Sequence, residues 1–410
     1  MRGKTAMAMA LVLGLATACG GGGGGGVAPA KTAAAAPTVT ITPANGDARA
    51  RPDQGVVVKA SGGTLGTVAV TLKGEPVPGA LSADKTTWRS SWTLAPGGSY
   101  RVQATATSPQ GRTATAASAF RTTTAVAATR ISNVVPSAGE TVGTGMPIFI
   151  QFTKDVPERA KPLIEKSIEL SSTKPTVGSW RWLDKGHSFN GLPSLVFRPK
   201  KPWAPNQEVS VTVHYAGLKI GDDVFGAKDV TRRFKIGDSH VVDINAKTHE
   251  LVVRENGKTV RSWGVSLGSG GDVWADGVDH LLTTSGVHLT MDRSRMERMV
   301  SPGKKKGDPG YYDEQVPWAT RISNSGEYIH ENTSDPACLG NRNCSHGCVR
   351  SPAQDAKWLY HWSYRGDIVN ITGTARKLDW WNGWGYWEVP FGKWSNTTDR
   401  EAVTTSPLRS

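Results

Sequence analysis

The sequence has no long hydrophobic run, few cysteines and no signature of a nucleic-acid-binding module. Its longest apolar run, residues 6–18, has 13 residues, whereas a membrane-spanning helix needs about 20. It carries no RNA-binding motif, zinc finger or arginine-rich arm, which argues against a nucleic-acid partner. Long stretches also lack the 3.6-residue period of amphipathic helices. These absences favour a globular protein that is rich in β-strands.

The length and the charge limit the number of domains and the kinds of partner. A chain of 410 residues predicts about three domains. Hydrophobic residues at 38% and charged residues at 20% are typical of a soluble globular protein. The formal net charge of +13 favours anionic partners such as peptidoglycan carboxylates, wall polymers or an anionic membrane face. A basic surface that only maintains solubility explains the same charge.

The N-terminus predicts export. Arg2 and Lys4 precede the short apolar run, as in a signal peptide over residues 1–18. The next residue, Cys19, follows small residues and precedes seven glycines, which resembles a bacterial lipobox. We therefore expect Cys19 to be lipidated and residues 19–37 to form a flexible linker. This predicts a lipoprotein that is anchored to the outer face of the cell membrane and faces the cell wall.

Two β-sandwich units are predicted next, over residues 38–126 and 129–237. Short runs of β-branched or alternating residues, such as 68–72 and 209–213, are separated by turn dipeptides such as Asn45-Gly46 and Pro78-Gly79. Several short strands at this spacing indicate an immunoglobulin-like sandwich. Neither unit gathers a catalytic set of residues, so their expected role is that of a spacer.

A third unit is predicted over residues 238–373. Asn256-Gly257 between two β-runs indicates a type I′ hairpin. A polar, glycine-rich and lysine-rich segment over residues 290–316 is long enough to predict a lid. Residues 374–410 form a tryptophan-rich C-terminal segment, whose tryptophans we expect to pack on a domain; stacking on sugar rings is the alternative.

The candidate catalytic residues lie close to Cys348 in the sequence. It lies in Ser345-His346-Gly347-Cys348, followed by Ser351 and Gln354, which form a capping box for a helix ending at Gly366. A helix N-terminus next to Cys348 would favour its thiolate. His330 follows a predicted strand, and it is expected to hold or deprotonate that thiol.

The other cysteines leave two interpretations open. Cys338, Cys344, His346 and Cys348 supply four potential zinc ligands within eleven residues. Ligands at alternate positions of a tight turn converge poorly on a tetrahedron, and an exported protein favours oxidised cysteines. A Cys338–Cys344 disulfide that leaves Cys348 free is therefore the preferred interpretation, with no metal.

These residues resemble the actinobacterial L,D-transpeptidases, in which two Ig-like domains precede a YkuD-type catalytic domain. The motif of a histidine, then Ser/Thr-His-Gly-Cys, a hydrophobic residue and Asn or Arg is filled by His330, the 345–348 segment, Val349 and Arg350. The segments 291–292, 316–323 and 365–369 are also similar to the family. The resemblance implies a mainly β fold.

The resemblance also implies roles for individual residues. Cys348 would be the nucleophile and His330 its base, while His346 shapes the site and the backbone at Gly347 lines an oxyanion hole. The lid tyrosine of the family falls on Tyr312, with Tyr311 beside it as the alternative. The residues implied to contact substrate are Tyr312, Ser345, Arg350, Met291 and Trp318. No cofactor is implied.

The implied reaction is a two-step acyl transfer on peptidoglycan stem peptides. Cys348 would release the terminal D-alanine of a tetrapeptide stem, and the amine of a neighbouring stem would open the thioester to give a 3→3 cross-link. Carbapenem-type β-lactams are the implied inhibitors. Two alternatives remain open: an L,D-carboxypeptidase that uses water as acceptor, and a non-catalytic adaptor that binds the cell wall.

Overall fold

The computed structural model describes residues 35–125, 127–188, 191–301, 303–308 and 311–408. The predicted signal peptide, Cys19 and all but the last three residues of the predicted linker lie outside the described residues. Within the described ranges, no helix is both long enough and apolar enough to cross a membrane. Strands dominate, so the predicted mainly β fold is confirmed.

The first unit is a sandwich of two four-stranded sheets. Its strands are β1 (Thr38–Thr42), β2 (Val57–Ser61), β3 (Thr64–Leu72), β4 (Glu75–Pro76), β5 (Gly79–Leu81), β6 (Thr87–Ser90), β7 (Ser99–Thr107) and β8 (Thr113–Arg121). The sheet orders are β1-β2-β6-β5 and β4-β3-β7-β8. Trp88, Tyr100 and Phe120 are buried between the two sheets, because alternate residues of each strand face inward.

The second unit contains a larger sandwich. Its elements are β9 (Ala127–Thr129), β10 (Ile131–Val135), β11 (Thr141–Val142), β12 (Ile148–Phe152), α1 (Lys161–Lys166), β13 (Ile168–Ser172), β14 (Val177–Leu183), β15 (Ser194–Pro199), β16 (Gln207–Val213), β17 (Lys219–Gly221), β18 (Val224–Gly226) and β19 (Val230–Ile236). All five residues of β12 are buried, which explains why its sequence is a continuous apolar run. The order β17-β18-β9 forms a small separate sheet.

The third unit has two sheets and one helix. Its elements are β20 (His240–Asn245), β21 (Glu250–Glu255), β22 (Lys258–Gly264), β23 (Gly286–Leu289), β24 (Arg293–Val300), β25 (Asp313–Arg321), β26 (Tyr328–Glu331), β27 (Val349–Ser351), α2 (Ala353–Trp362) and β28 (Ile368–Thr372). The sheet orders are β22-β21-β20-β28-β23 and β24-β25-β26-β27. Val242, Leu251, Ile329 and Leu359 belong to one apolar core, so both sheets and the helix pack together.

Two local predictions in this unit have different outcomes. Asn256 and Gly257 both have positive φ, 49° and 81°, and join β21 to β22 with Glu255 opposite Lys258, as the I′ turn requires. The segment predicted as an irregular lid is instead largely a β-hairpin, because β24 and β25 pair over most of it. Only residues 301–312 connect the two strands. The hairpin was missed because β24 is mostly polar and exposed.

The C-terminal segment joins the second unit. Strands β29 (Val403–Thr404) and β30 (Ser406–Pro407) extend its two sheets, pairing with β14 and β13. Trp394 is fully buried and donates from Nε1 to the Ser179 carbonyl at 2.9 Å. Trp384 and Tyr386 share a core with residues of both the second and the third unit. The expected packing of these tryptophans on a domain is therefore observed, and Trp384 contributes to a core that joins two units.

A bidentate ion pair also links the second and third units. Arg365, just before β28, donates from Nε and Nη2 to Glu140 at 2.8 and 2.6 Å. The backbone of Gly143 donates to the Arg365 carbonyl at 2.9 Å. These bonds, together with the shared core, fix the third unit on the second sandwich.

Candidate active site

A pocket in the third unit brings together side chains that lie far apart in the sequence. Cys348, His346, His330 and Tyr312 all line it. His330 lies on β26, and Cys348 directly precedes β27. These two strands run parallel, with His330 opposite Arg350, so the sheet register places the histidine and the cysteine at the same edge. The sequence alone separated them by 18 positions.

The turn before Cys348 is held by hydrogen bonds from its own residues. Ser345 Oγ accepts from the Gly347 N–H at 3.2 Å and donates to the Cys348 carbonyl at 2.5 Å. Gly347 has φ 127°, a backbone conformation that other residues rarely adopt. Ser345 is itself buried. It therefore shapes the turn, and it also lines the pocket.

Thr283 ties this turn to a neighbouring segment. Its buried hydroxyl donates to the Gly347 carbonyl at 2.7 Å and accepts from the Gly268 N–H at 2.8 Å. The backbone around Gly268 also pairs with Ser345. One hydroxyl thus satisfies two buried backbone groups and fixes the position of the residue before Cys348.

Replacement of Thr283 by valine is expected to lower both stability and activity. Each buried backbone group that loses its partner costs about 1–3 kcal/mol, and a displaced Gly347 would move the Cys348 sulfur, which we expect to slow acylation about tenfold. Chemical unfolding followed by tryptophan fluorescence and the rate of D-alanine release measure the two effects. Thr283→Ser keeps both hydrogen bonds and serves as the matched control. If the two variants behaved alike, Thr283 would not act through its hydroxyl.

The predicted helix begins within one residue of its expected start at Pro352, but a strand separates it from Cys348. Strand β27 intervenes, and α2 begins only at Ala353, with Pro352 as N-cap and no side-chain cap. Ser351 is buried in β27, and its Oγ accepts from Trp263 Nε1 at 3.1 Å. The predicted capping box is therefore wrong, as is the predicted helix end at Gly366, because α2 stops at Trp362.

The thiol of Cys348 is consequently neutral in this pocket. Burial raises its pKa to about 12, and the negative charge of Glu327 acts in the same direction. The sulfur lies 3.5 Å from the Gly326 carbonyl and 3.9 Å from Met299 Sδ, and neither neighbour stabilises a thiolate. The prediction of a thiolate favoured by a helix dipole is wrong, because burial of the sulfur outweighs the Tyr328 N–H and Arg350, the two groups that favour the thiolate.

His330 is held as a neutral base. It is 4% exposed, and its Nδ1 lies 2.6 Å from the backbone carbonyl of Glu331. A carbonyl only accepts, so Nδ1 carries the hydrogen and Nε2 carries the free lone pair. Burial lowers the pKa of His330 to about 4. In the described residues no hydrogen bond joins His330 to the Cys348 sulfur. Catalytic hydrogen bonds are often long without substrate and shorten when substrate binds.

Tyr312 and His346 form the opposite side of the pocket. Their rings stack with centroids 4.7 Å apart. Burial raises the pKa of Tyr312 to about 12, so its hydroxyl remains a hydrogen-bond donor. Burial also lowers the pKa of His346. Of the two candidate tyrosines, Tyr312 lines the pocket, whereas the Tyr311 hydroxyl lies 3.5 Å from Asp313.

Arg350 holds the cysteine-containing loop. Its guanidinium donates to Ser334 Oγ at 2.6 Å and to the Cys344 carbonyl at 3.4 Å, and the residue is 8% exposed. Cys338 and Cys344 form a disulfide, whereas Cys348 is free. Two of the four ligands of the alternative zinc site are thereby bonded to each other. Arg350 still lines the pocket, with no carboxylate partner in the described residues.

Two expected substrate contacts lie elsewhere. Met291 is 2% exposed and belongs to the core that contains Trp384. Trp318 packs on α2, with ring centroids 5.4 Å from Tyr360 and 5.6 Å from His361. Its φ of 53° interrupts the regular alternation of β25, so it does not share the pocket-facing side of Val316. Neither residue lines the pocket that contains Cys348.

One wall of the pocket was not anticipated from the sequence. Asp272, Trp274, His280 and Leu281 line it from the loop before β23. Trp274 stacks on His280 at 3.9 Å, and Asp272 forms an ion pair with Lys304 of the β24–β25 connection at 3.0 Å. In the sequence, the signal for this wall was a tryptophan among aspartates and glycines. In the structure, that tryptophan is exposed. The ion pair joins two loops across the mouth of the pocket.

Glu327 was also missed. It is buried at the back of the pocket and accepts from Thr284 N and Oγ1 at 2.6 and 2.7 Å, with His288 Nε2 at 3.7 Å. Burial acts to raise the pKa of Glu327, but these partners outweigh it, so the pKa is lowered. Residues 322–330 are mostly polar, so the sequence carried no signal that set Glu327 apart from its neighbours.

The comparisons with known proteins agree with this architecture. The family described as a bacterial Ig domain matches residues 47–219, and the L,D-transpeptidase catalytic domain family matches residues 239–371. L,D-transpeptidase 2 of Mycobacterium tuberculosis is 32% identical over 344 residues, covering 83% of this chain and 80% of its own length. L,D-transpeptidase 5 of the same species is 29% identical, covering 86% and 75%. A solved L,D-transpeptidase from Mycobacterium smegmatis has 23% identity and a TM-score of 0.47, covering 60% of this chain and 99% of its own.

Ig-like sandwiches in front of a β-rich unit with a cysteine and a histidine in one pocket define a multidomain cysteine acyltransferase of the YkuD class. The chain belongs to the L,D-transpeptidase family. Its activity is accordingly that of a peptidoglycan L,D-transpeptidase.

Proposed function

We propose that this enzyme forms 3→3 cross-links through a thioester on Cys348. The observation that carries the proposal is the shared pocket of Cys348 and His330, in which the Glu331 carbonyl leaves Nε2 of His330 as the free acceptor. Family membership supplies the substrate class, the stem peptides of peptidoglycan. The remaining steps follow from the protonation states of the two side chains.

In the first step, Cys348 Sγ attacks the carbonyl of the third stem residue. With pKa values of about 12 for the thiol and about 4 for the imidazole, a free thiolate–imidazolium pair is strongly disfavoured. The proton therefore moves to His330 Nε2 as the C–S bond forms. Backbone N–H groups of the 346–348 turn, with the Tyr312 hydroxyl, would stabilise the oxyanion. The imidazolium then protonates the departing D-alanine amine.

In the second step, the side-chain amine of a neighbouring stem attacks the thioester. His330 accepts a proton from the attacking amine, and the sulfur leaves as Cys348 returns to the thiol. Arg350, which lines the pocket and forms no ion pair with a carboxylate of the described residues, would meet a substrate carboxylate. The same thiol would be acylated by carbapenem-type β-lactams, because their strained amide presents an equivalent electrophile.

The test is incubation of the purified protein with a disaccharide-tetrapeptide, followed by mass spectrometry. Dimers that have lost one D-alanine per cross-link are the expected product. Tripeptides without dimers would identify an L,D-carboxypeptidase, and unchanged substrate would support the adaptor.

We further propose that the two sandwiches are spacers between the membrane and the catalytic unit. The proposed units are residues 38–126 and 129–237, followed by a catalytic unit of residues 238–373 and a C-terminal segment of residues 374–410. The signal peptide and lipobox-like sequence support anchoring of Cys19 to the outer face of the cell membrane. A diacylglyceryl mass increment on the Cys19 peptide from isolated membranes would be the supporting result, and an unmodified Cys19 would contradict it.

A further inference from the structure

Glu314 lines the pocket that contains Cys348, from strand β25 of the β24–β25 hairpin. Tyr312, Glu314 and Val316 occupy alternate positions and all line the pocket, as expected for one face of a strand. Glu314 lies opposite Met299 in the β24–β25 ladder, and Met299 Sδ is 3.9 Å from Cys348 Sγ. Asp313 faces the other way and forms a bidentate pair with Arg298 at 2.8 Å.

Glu314 differs from the other pocket carboxylates in its partners. Asp272 is paired with Lys304, and Glu327 is bonded to Thr284. Glu314 is exposed, and the described residues offer it no hydrogen bond or ion pair. After burial and the Cys348 sulfur, its charge is the next contribution that raises the pKa of Tyr312, which places the carboxylate beside the tyrosine and the thiol.

The chemistry of the two substrates decides which of them this carboxylate suits. The leaving D-alanine of the donor ends in a carboxylate, which Glu314 would repel. The acceptor brings a primary amine that is protonated in water, since such amines have pKa values of about 10. An exposed carboxylate near the thioester attracts that ammonium by its charge. It does not attract a neutral water molecule to the same extent. Arg350, a pocket cation that forms no ion pair with a carboxylate of the described residues, suits the donor instead.

We propose that Glu314 binds the protonated side-chain amine of the acceptor stem and thereby favours aminolysis of the thioester over hydrolysis. The inference rests on the proposed function. The ammonium loses one proton through His330 to solvent before or during attack. The C–N bond then forms, the C–S bond breaks, and the second proton of the amine goes to the Cys348 sulfur. The net change is one amide, one thiol and one released proton.

The experiment compares Glu314→Gln with wild type in a two-substrate assay. A tetrapeptide stem serves as donor, and a tripeptide stem with a free side-chain amine serves as acceptor at varied concentration. Mass spectrometry counts dimers against hydrolysed tripeptide. We expect the KM for the acceptor to rise about fivefold and the hydrolysed fraction to rise with it. Acylation by the donor should be no slower than in wild type, because loss of the negative charge favours ionisation of the thiol.

Asp313→Asn is the matched control, because it removes a negative charge from the adjacent position on the outer face. It is expected to leave the acceptor KM within twofold of wild type. Added salt should raise the acceptor KM of the wild-type enzyme. It should raise the acceptor KM of Glu314→Gln much less. The inference is overturned if Glu314→Gln keeps the wild-type acceptor KM, or if its main defect lies in donor acylation. A wild-type enzyme that makes no dimers overturns both the inference and the proposed transferase function.

Discussion

Replacement of Cys348 by alanine is expected to abolish the acyl-enzyme and to lower D-alanine release at least about 10⁴-fold. Without the sulfur there is no thioester, and the remaining pocket only positions substrate; loss of a nucleophile in comparable enzymes has effects of this size. Intact-protein mass after incubation with a carbapenem measures the adduct directly. Wild type should gain the mass of one inhibitor, and Cys348→Ala should gain none.

The other two cysteines of this segment provide the control. Cys338 and Cys344 are bonded to each other, so Cys338→Ala alone releases a second thiol that complicates the mass spectrum. The double variant Cys338→Ala/Cys344→Ala removes both and is expected to retain one adduct per chain. A thermal unfolding profile of Cys348→Ala close to that of wild type would show that the fold survives. An adduct on folded Cys348→Ala protein would refute the assignment of the nucleophile.

Replacement of His330 by glutamine is expected to slow acylation by about 10²–10⁴-fold at neutral pH. The physical reason is the protonation state of the pair. A thiol with a pKa of about 12 ionises rarely at neutral pH, so it needs a base at the moment of attack. His330, with its pKa lowered to about 4 by burial, is unprotonated and available throughout the neutral range.

The pH dependence gives this prediction its sharper form. Wild-type acylation should be nearly flat from about pH 5 to 9 and should fall as the pH drops through about 4, where Nε2 becomes protonated. In His330→Gln the thiol must ionise unaided. The rate of the variant should therefore rise about tenfold per pH unit, and its defect should shrink toward high pH. Stopped-time assays of D-alanine release at each pH measure both profiles.

His361→Gln is the matched control, since His361 is exposed on α2 against Trp318 and away from the pocket. It should retain the flat wild-type profile. If the wild-type acylation rate fell near pH 6.5, His330 would be solvated during the reaction. If His330→Gln slowed acylation less than threefold, His330 would not be the base.

The burial of His330 also links protonation to stability. Its folded-state pKa of about 4 lies below the ordinary value of 6.5, so the unfolded chain binds the proton more readily. The contribution of neutral His330 to folding is complete above about pH 6.5 and is lost as the pH falls toward 4. Activity and stability are thus both expected to decline on the acid side, and the stability of His330→Gln should be less sensitive to pH over that range.

Much of the site was accessible from the sequence because short motifs carry it. The Ser345–Cys348 segment and the upstream His330 were identified by residue type and order, and the family they resemble is confirmed. The Asn256-Gly257 turn was correct because its geometry depends on two neighbouring residues. Met291 and Trp318 were assigned by position within a similar segment, and the structure places both side chains outside the pocket that contains Cys348.

The sequence by itself determined the sandwich architecture and the family, and it favoured a free cysteine beside a cystine pair. Only the tertiary structure decided the protonation of Cys348 and His330, the wall built from Asp272 and Trp274, and the docking of the tryptophan-rich segment on the second sandwich. The division has one physical reason. Motifs and turns depend on residues that are adjacent in the chain, whereas burial and charge are sums over contacts between segments that only folding brings together.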